Sequence, residues 1–144
     1  MSDPDADFPI KEEVEDYAGR ARQFVITYYR SLLGFTVTAA EETKDGLGYE
    51  FSAFSPTSPY HALGSVRRKM YRALATRHLT WSEGSPRALH DMIRGRITAR
   101  RGGQLLLVVD GRPLTLDEFG RILATHEGFQ FEVKIIDSTE DRDS

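Results

Sequence analysis

The sequence predicts an α+β fold: an antiparallel or mixed sheet of about five to six strands, with three main helices packed mainly on one face. Apolar residues recur at helical spacing in two long stretches, and a capping signature opens a third helix. Short runs of strand-forming residues, separated by glycine-containing turns, indicate the sheet. The chain has 144 residues, of which 40% are hydrophobic. This length and composition predict a single domain over residues 9–137.

The first helix is predicted over residues 10–33, ending before Gly34. The stretch Ile26–Tyr29 is rich in strand-forming residues, so the boundary of this helix is soft. The apolar positions that support the helix recur at intervals of three, four and one. They are Val14, Tyr17, Ala21, Phe24, Val25 and Tyr28.

A β-hairpin is expected next, with strands over Phe35–Glu42 and Gly48–Phe54. Lys44-Asp45-Gly46 forms its turn, because an Asp-Gly pair adopts positive φ at little cost. The second helix covers Tyr60–His78, and its apolar residues follow one stripe that we expect to face the core. This stripe consists of Leu63, Val66, Met70 and Leu74.

The segment after this helix is predicted to contain a short strand and a short helix. Leu79–Trp81 forms the strand, and Ser85 caps the helix at Pro86. The apolar face of this short helix consists of Ala88, Leu89, Met92 and Ile93.

Arg96–Arg101 and Gln104–Val109 form the clearest hairpin in the sequence. Gly102-Gly103 suits a two-residue loop, which would fix the register of the two strands. Leu105–Val109 is apolar on both faces, so we expect it to be central in the sheet. The predicted cross-strand pairs are Arg101 with Gln104, Ala99 with Leu106, and Ile97 with Val108.

The third helix has the best local signature. Thr115 and Glu118 have the spacing of a capping box, and Leu114 and Phe119 have the spacing of a hydrophobic staple. The helix is expected to run to about His126 and to stop at Gly128. Phe129–Ile136 then alternates strictly between apolar and polar residues, which predicts a half-exposed strand.

Both ends of the chain are acidic, and we expect residues 1–8 and 138–144 to be disordered tails. No apolar run approaches the length of a membrane span, and the first residues do not resemble a secretory signal. Cysteine is absent, which fits the expectation of a cytoplasmic protein.

Positive charge is concentrated in the middle of the chain. Between Arg67 and Arg101 there are ten Lys or Arg and two acids, although the whole chain has a net charge of −3. Such separation indicates an anionic partner, and nucleic acid is the first candidate. Trp81 is a candidate for stacking on unpaired bases, together with Tyr60 and Tyr71. The predicted anion-binding residues are Arg68, Lys69, Arg72, Arg94, Arg96 and Arg100.

Two alternatives to nucleic-acid binding remain open. The arginines could form a solvated face that pairs with the chain's own 22 acids or with an acidic protein. The protein could also act in protein–protein interaction or as a homodimer, with Phe129–Ile136 as an edge strand that pairs with a partner.

No catalytic, metal or cofactor site is predicted. The four histidines, His61, His78, His90 and His126, form none of the spacings of zinc sites, and no cysteine can complete one. Neither a nucleophile elbow nor a phosphate-binding glycine loop is present. The sequence therefore favours a binding protein, and an enzyme is the third alternative.

Three blocks of the sequence resemble a family of small uncharacterised bacterial proteins. They are Gly48-Tyr49-Glu50-Phe51, Ala62–Leu79 and Asp110–Val133. Within the last block, Glu118-Phe119-Gly120-Arg121 and Glu127-Gly128-Phe129-Gln130-Phe131 resemble the family most. The resemblance covers roughly residues 47–137 and implies a single bacterial domain of unknown function, without assigning any residue a role.

Overall fold

The computed structural model describes residues 3–140, which form three small antiparallel sheets and three helices. The helices are α1 (Pro4–Asp7), α2 (Pro59–Leu74) and α3 (Leu116–Ala124). The strands are β1 (Ile10–Glu15), β2 (Ala21–Ser31), β3 (Gly34–Glu41), β4 (Glu50–Ser55), β5 (Leu79–Ser82), β6 (Ser85–Ala88), β7 (Arg96–Ala99), β8 (Leu105–Val109) and β9 (Arg112–Thr115).

The predicted α+β fold with one sheet of five to six strands is wrong. The sheets have the orders β1-β2-β3-β4, β5-β6 and β7-β8-β9, so the described chain is mostly β. Every strand pairs antiparallel with a neighbour in sequence. Pairing is therefore local, and each sheet ends where α2 or the loop after β6 interrupts the run of hairpins.

The predicted first helix over residues 10–33 is also wrong, because this segment forms β1 and β2. Phe24 and Ile26 are fully buried and Tyr28 is half-buried, while the residues between them are more exposed. This is the two-residue period of a strand. The aromatic and β-branched residues of 24–29 favour a strand, and their spacing coincided by chance with that of a helix.

The rest of the N-terminal half (residues 3–75) follows the sequence prediction closely. β3 and β4 form the expected hairpin, and α2 lies near the predicted position although it ends four residues early. The four residues of its predicted stripe are all buried against the four-stranded sheet. Their core also includes Phe8, which follows α1. Of the two predicted acidic tails, residues 1–2 and 141–144 lie outside the described residues.

In the C-terminal half (residues 78–140), the predicted strand at residues 79–81 is confirmed as β5. The short helix predicted after Ser85 is wrong, because residues 85–88 form β6 and pair with β5. Glu83 and Gly84 both have positive φ, 52° and 77°, and make the tight loop between these strands. A two-residue turn of this kind brings the next residues back into the ladder before a helix can start.

β7 and β8 form the predicted hairpin, but their register differs by one residue. Ala99 lies opposite Leu105 and Ile97 opposite Leu107, so the predicted pairs are wrong. The Arg100 N–H donates to the Gln104 carbonyl at 2.7 Å, which makes the loop one residue longer than a Gly-Gly turn requires. β8 is the central strand of its sheet, as predicted, because β9 pairs on its other side.

The capping box at the start of α3 is confirmed. The Glu118 N–H donates to Thr115 Oγ1 at 3.1 Å, and the Thr115 N–H donates to Glu118 Oε1 at 3.0 Å.

The strand predicted over Phe129–Ile136 is wrong, since the structure has no helix or strand there. Alternation is a necessary feature of a half-exposed strand, but a strand also needs a neighbour, and no described sheet edge pairs with this segment.

The described residues contain two separate hydrophobic cores. The first lies between the four-stranded sheet and α2 and draws only on the N-terminal half. The second lies between β5, β8, β9 and α3 and draws only on the C-terminal half. Within residues 3–140, no helix is long and apolar enough to span a membrane. The single domain expected over residues 9–137 stays a prediction.

Contacts between the halves are mainly polar. Arg96 of β7 donates to the Gly48 carbonyl at 2.8 Å and to the Gly46 carbonyl at 3.1 Å. Gly111, in the turn between β8 and β9, packs so closely on Tyr49 that an added Cβ would lie 2.5 Å from the ring. The β8–β9 turn is therefore a contact surface as well as a chain reversal.

We predict that Gly111→Ala destabilises the protein much more than Gly19→Ala. The two glycines have similar φ values, +73° and +77°, but nothing lies within 4 Å of a Cβ added at Gly19. The left-handed backbone alone should cost about 1–2 kcal/mol at either position. The clash with Tyr49 should add about 1–3 kcal/mol at Gly111. Urea unfolding of both variants measures the difference. An equal loss in the free energy of unfolding would contradict the close contact between Gly111 and Tyr49.

Candidate anion-binding cleft

A cleft of about 320 Å³ lies where the two halves meet. The N-terminal half contributes the turn between β1 and β2 and the loop between β3 and β4. The C-terminal half contributes β5 and the turn between β8 and β9. The charged and aromatic side chains that line the cleft are Asp16, Tyr17, Arg20, Arg22, Asp45, Trp81, Asp110 and Arg112.

One wall of the cleft is a buried ionic network around Arg22. Its Nε lies 3.0 Å from Asp16 Oδ2, and its Nη1 lies 3.1 Å from Glu41 Oε2. The guanidinium also lies over the Tyr49 ring, 5.4 Å from the centroid. Asp16 accepts two further hydrogen bonds, from the N–H groups of Ala18 (2.9 Å) and Arg20 (3.0 Å). The network ties the β1–β2 turn to the end of β3.

The pKa values in this network follow from burial and hydrogen bonding. Burial by itself would raise the pKa of Asp16, but the N–H groups of Arg20 and Ala18 and the Arg22 guanidinium outweigh it, so the pKa is lowered. Burial would lower the pKa of Arg22, yet the bond to Glu41 and the contact with Asp16 raise it overall. Both groups are therefore held in their charged forms.

The opposite wall depends on Asp110. Its carboxylate accepts hydrogen bonds from the N–H groups of His78 (3.0 Å) and Leu79 (2.9 Å), and His78 Nδ1 lies 3.1 Å away. Asp110 itself has a φ of 55°, which is uncommon for a non-glycine residue. The carboxylate thus fixes the chain at the junction of the two halves. With both oxygens engaged, it acts as a structural acceptor.

The Tyr49 ring packs against Gly111 and Arg22, two of the residues that line the cleft. The hydroxyl oxygen is buried, and it makes no hydrogen bond within residues 3–140. Burial raises the pKa of Tyr49 far above its usual range, and the negative charge of Asp110 adds to this effect. The phenol therefore stays neutral.

The two aromatic side chains of the cleft are each covered by an arginine. The Arg112 guanidinium carbon lies 3.5 Å from the Trp81 ring centroid, and that of Arg77 lies 5.4 Å from the Tyr17 ring centroid. Stacking uses the face of a guanidinium and leaves the N–H groups at its edge free to donate. Trp81 thus holds Arg112 in one orientation.

Two arginines of the cleft have no acidic partner in the part of the chain that the structure describes. Arg20 and Arg112 are exposed, and within the described part of the chain neither makes a hydrogen bond with its guanidinium or an ion pair. Arg96 lies at the rim, on the Gly48 carbonyl. Arg100 lies near Asp45, whose pKa is lowered first by the Leu47 N–H and also by the charge of Arg100.

The six predicted anion-binding residues fall into two groups. Arg96 and Arg100 lie beside the cleft, as described above. Arg68, Lys69 and Arg72 lie on α2, where Arg68 donates to Ser65 Oγ at 3.0 Å. Lys69 Nζ donates to the backbone carbonyls of Ser52 (2.7 Å) and Glu140 (2.6 Å). The remaining residue, Arg94, is half-buried just before β7.

Sequence reasoning missed three of the arginines in the cleft. Arg20 and Arg22 lie within residues 10–33, which were wrongly predicted to form a helix. The turn between β1 and β2 was therefore not recognised. Arg112 lies in β9, a strand that the sequence analysis does not predict. An Asp-Gly pair flanked by strand residues was the available signal for a hairpin at that point. Among residues 3–140, no group of three or more His, Asp or Glu could hold a metal ion.

Two family models match the chain, and each covers one of its two cores. One, described as a domain of unknown function (DUF7686), matches residues 6–75. The other, also described as a domain of unknown function (DUF7713), matches residues 78–140. The chain is thus similar to two domains of unknown function. Neither a curated protein nor a solved structure matches it.

These matches confirm the predicted resemblance to domains of unknown function. The boundary between them, at residues 76–77, lies directly before His78, whose N–H is bound by Asp110. The cleft therefore lies at the junction of the two matched regions. The bacterial origin and the resemblance of the C-terminal block stay predictions.

We predict that Asp16 contributes to the loss of stability in acid. Because its pKa is lowered by folding, its contribution is complete above the unfolded value near 3.8 and disappears as the pH falls through the lower folded value. The free energy of unfolding should therefore fall less between pH 5 and pH 3 in Asp16→Asn than in the wild type. Urea unfolding at each pH measures this fall.

Asp91→Asn is the matched control, since Asp91 is exposed and makes no hydrogen bond or ion pair within residues 3–140. Its acid profile should follow that of the wild type. An unchanged acid profile in Asp16→Asn would contradict the role of the ionic network.

Proposed function

We propose that this protein is a non-catalytic binding module for a phosphate-bearing anionic partner, with nucleic acid as the first candidate. The observation that supports this is the arrangement of six arginines around one cleft. Arg20, Arg22 and Arg112 line it, and Arg77, Arg96 and Arg100 adjoin its lining residues. Arginine suits such a partner because its planar guanidinium binds phosphate through two parallel hydrogen bonds.

The acids near the cleft neutralise only part of this arrangement. Asp16 and Glu41 both bind Arg22, and Asp110 is bound by backbone N–H groups and His78. Asp45 accepts a hydrogen bond from the Leu47 N–H at 3.0 Å. The charges of Asp16 and Glu41 are thus paired with Arg22, whereas Arg20 and Arg112, which make no ion pair within residues 3–140, remain available to a ligand.

The stacked aromatics favour phosphate contacts over base stacking. Arg112 already covers one face of Trp81, so a base could stack there only by displacing it. The stacked guanidinium instead presents its edge, which is the side that binds a phosphate. We therefore expect binding through the backbone of a nucleic acid, with little dependence on sequence.

This proposal includes two further expectations from the sequence. A nucleic-acid partner would place the protein in the cytoplasm, which the absence of cysteine fits. Binding should also weaken with salt, because each neutralised phosphate releases counterions. The small cleft could accommodate only a few phosphates, so the salt dependence should be moderate.

We predict that the cleft arginines, rather than those of α2, determine binding. Fluorescence anisotropy with labelled single- and double-stranded oligonucleotides, at low and moderate salt, measures the affinity. The double variant Arg20→Glu with Arg112→Glu should weaken binding at least about tenfold. It should also reduce the slope of log affinity against log salt concentration by about 1–2. Arg68→Glu with Arg72→Glu is the matched control, because it changes the net charge equally. It should leave most of the affinity intact.

A charge-neutral variant separates positioning from electrostatics. Trp81→Leu keeps every arginine but removes the surface that orients Arg112, so it should weaken binding several-fold at constant net charge. Equal effects of the two charge-reversal pairs would contradict the cleft as the site. Absence of binding by every oligonucleotide at low salt would exclude the proposed partner.

A further inference from the structure

The segment of residues 129–136 exposes large apolar side chains along its whole length. Phe129, Phe131, Val133 and Ile135 are 75%, 82%, 75% and 78% exposed. Within the described chain, the backbone of residues 130–136 makes no hydrogen bond. Apolar side chains and unpaired backbone groups together are the two requirements for adding a strand to another chain.

Both ends of this segment are held by the protein. At its start, the Phe129 N–H donates to the His126 carbonyl at 2.9 Å, and the two rings meet edge to face. Past its end, Lys69 Nζ binds the carbonyls of Ser138 and Glu140 and also the Ser52 carbonyl of β4. The segment is therefore a strap between α3 and α2 with an exposed middle.

The sequence of the segment is complementary to itself when two copies run antiparallel. In one register, Val133 lies opposite Val133 of a second copy and Phe131 lies opposite Ile135. The other face then pairs Glu132 with Lys134 twice, so that opposite charges meet across the strands. Shifting the strands by one residue pair in either direction loses this match. Such shifts oppose Glu132 to itself or Lys134 to itself, and like charges directly opposite are destabilising.

We propose that residues 129–136 form an antiparallel two-stranded ribbon with the same segment of a second copy, around a twofold axis through Val133. The pairing is isologous, as expected for a symmetric dimer. It hydrogen-bonds the free backbone and gathers the apolar side chains of both copies on one face. A two-stranded ribbon alone is only marginally stable in water, so its apolar face must pack against other apolar surface. α3 directly precedes the segment and leaves Leu116 and Leu123 about half exposed as apolar surface for this purpose.

The dimer is tested by reversing charges on the polar face of the ribbon, with molar mass measured by light scattering and sedimentation. The wild type should be a dimer at micromolar concentration. Glu132→Lys alone and Lys134→Glu alone each place like charges opposite, so each should weaken dimerisation about tenfold or more. An equimolar mixture of the two single variants should restore the dimer, because each charge then meets its opposite. The double variant should also be dimeric.

A disulfide tests the register directly, because the natural chain contains no cysteine. Val133→Cys places two thiols opposite each other, within the range of a disulfide, and should give a covalent dimer on mild oxidation. Glu132→Cys is the matched control, since this residue faces Lys134 and should cross-link poorly.

Three results would overturn the proposal. A monomeric wild type at about 100 μM, far above the micromolar range, would exclude the ribbon. If neither charge reversal weakens dimerisation, the interface lies elsewhere. The same conclusion follows if cysteines at positions 132 and 133 form the covalent dimer equally well. All substituted residues are exposed and lie outside the cleft, so nucleic-acid affinity per protomer should not change in these variants. Failure of either proposal thus leaves the other standing.

Discussion

The turn formed by Asp110 and Gly111 is the constraint on which the arrangement of the two halves depends. Positive φ at both residues reverses the chain between β8 and β9. The Asp110 carboxylate then binds the backbone at His78 and Leu79, where the C-terminal half begins, and Gly111 packs on Tyr49 of the N-terminal half. One short turn therefore connects β8 to β9 and contacts both halves at their junction.

The charge distribution of the cleft follows from this junction. Arginines from β2, from the loop before β5 and from β9 converge because the β1–β2 turn faces the β8–β9 turn. These arginines differ in burial, and this difference decides which of them can contact a ligand. Arg22 is enclosed and neutralised by two carboxylates, whereas Arg20 and Arg112 are exposed and have no acidic partner among residues 3–140. Stacking on Trp81 limits the freedom of Arg112, which lowers the entropy that a ligand would have to remove on binding.

The cleft and the strap of residues 129–136 offer different kinds of interaction to a partner. The cleft presents fixed charges on rigid turns, so its interactions are electrostatic and sensitive to salt. The strap presents apolar side chains and unpaired backbone, so its interactions depend on burial and on strand pairing.

The sequence by itself determined those features that depend on neighbouring residues. The β3–β4 hairpin, the buried stripe of α2 and the capping box of α3 were all predicted correctly, because turns, caps and helix periodicity act within a few residues. Tertiary structure decided the rest. Residues 10–33 matched a helical period yet form two strands. Residues 129–136 alternate like a strand, yet no strand within residues 3–140 pairs with them. The cleft was also beyond prediction from the sequence, since Arg20 and Arg112 are 92 positions apart and meet only through the junction of the two halves.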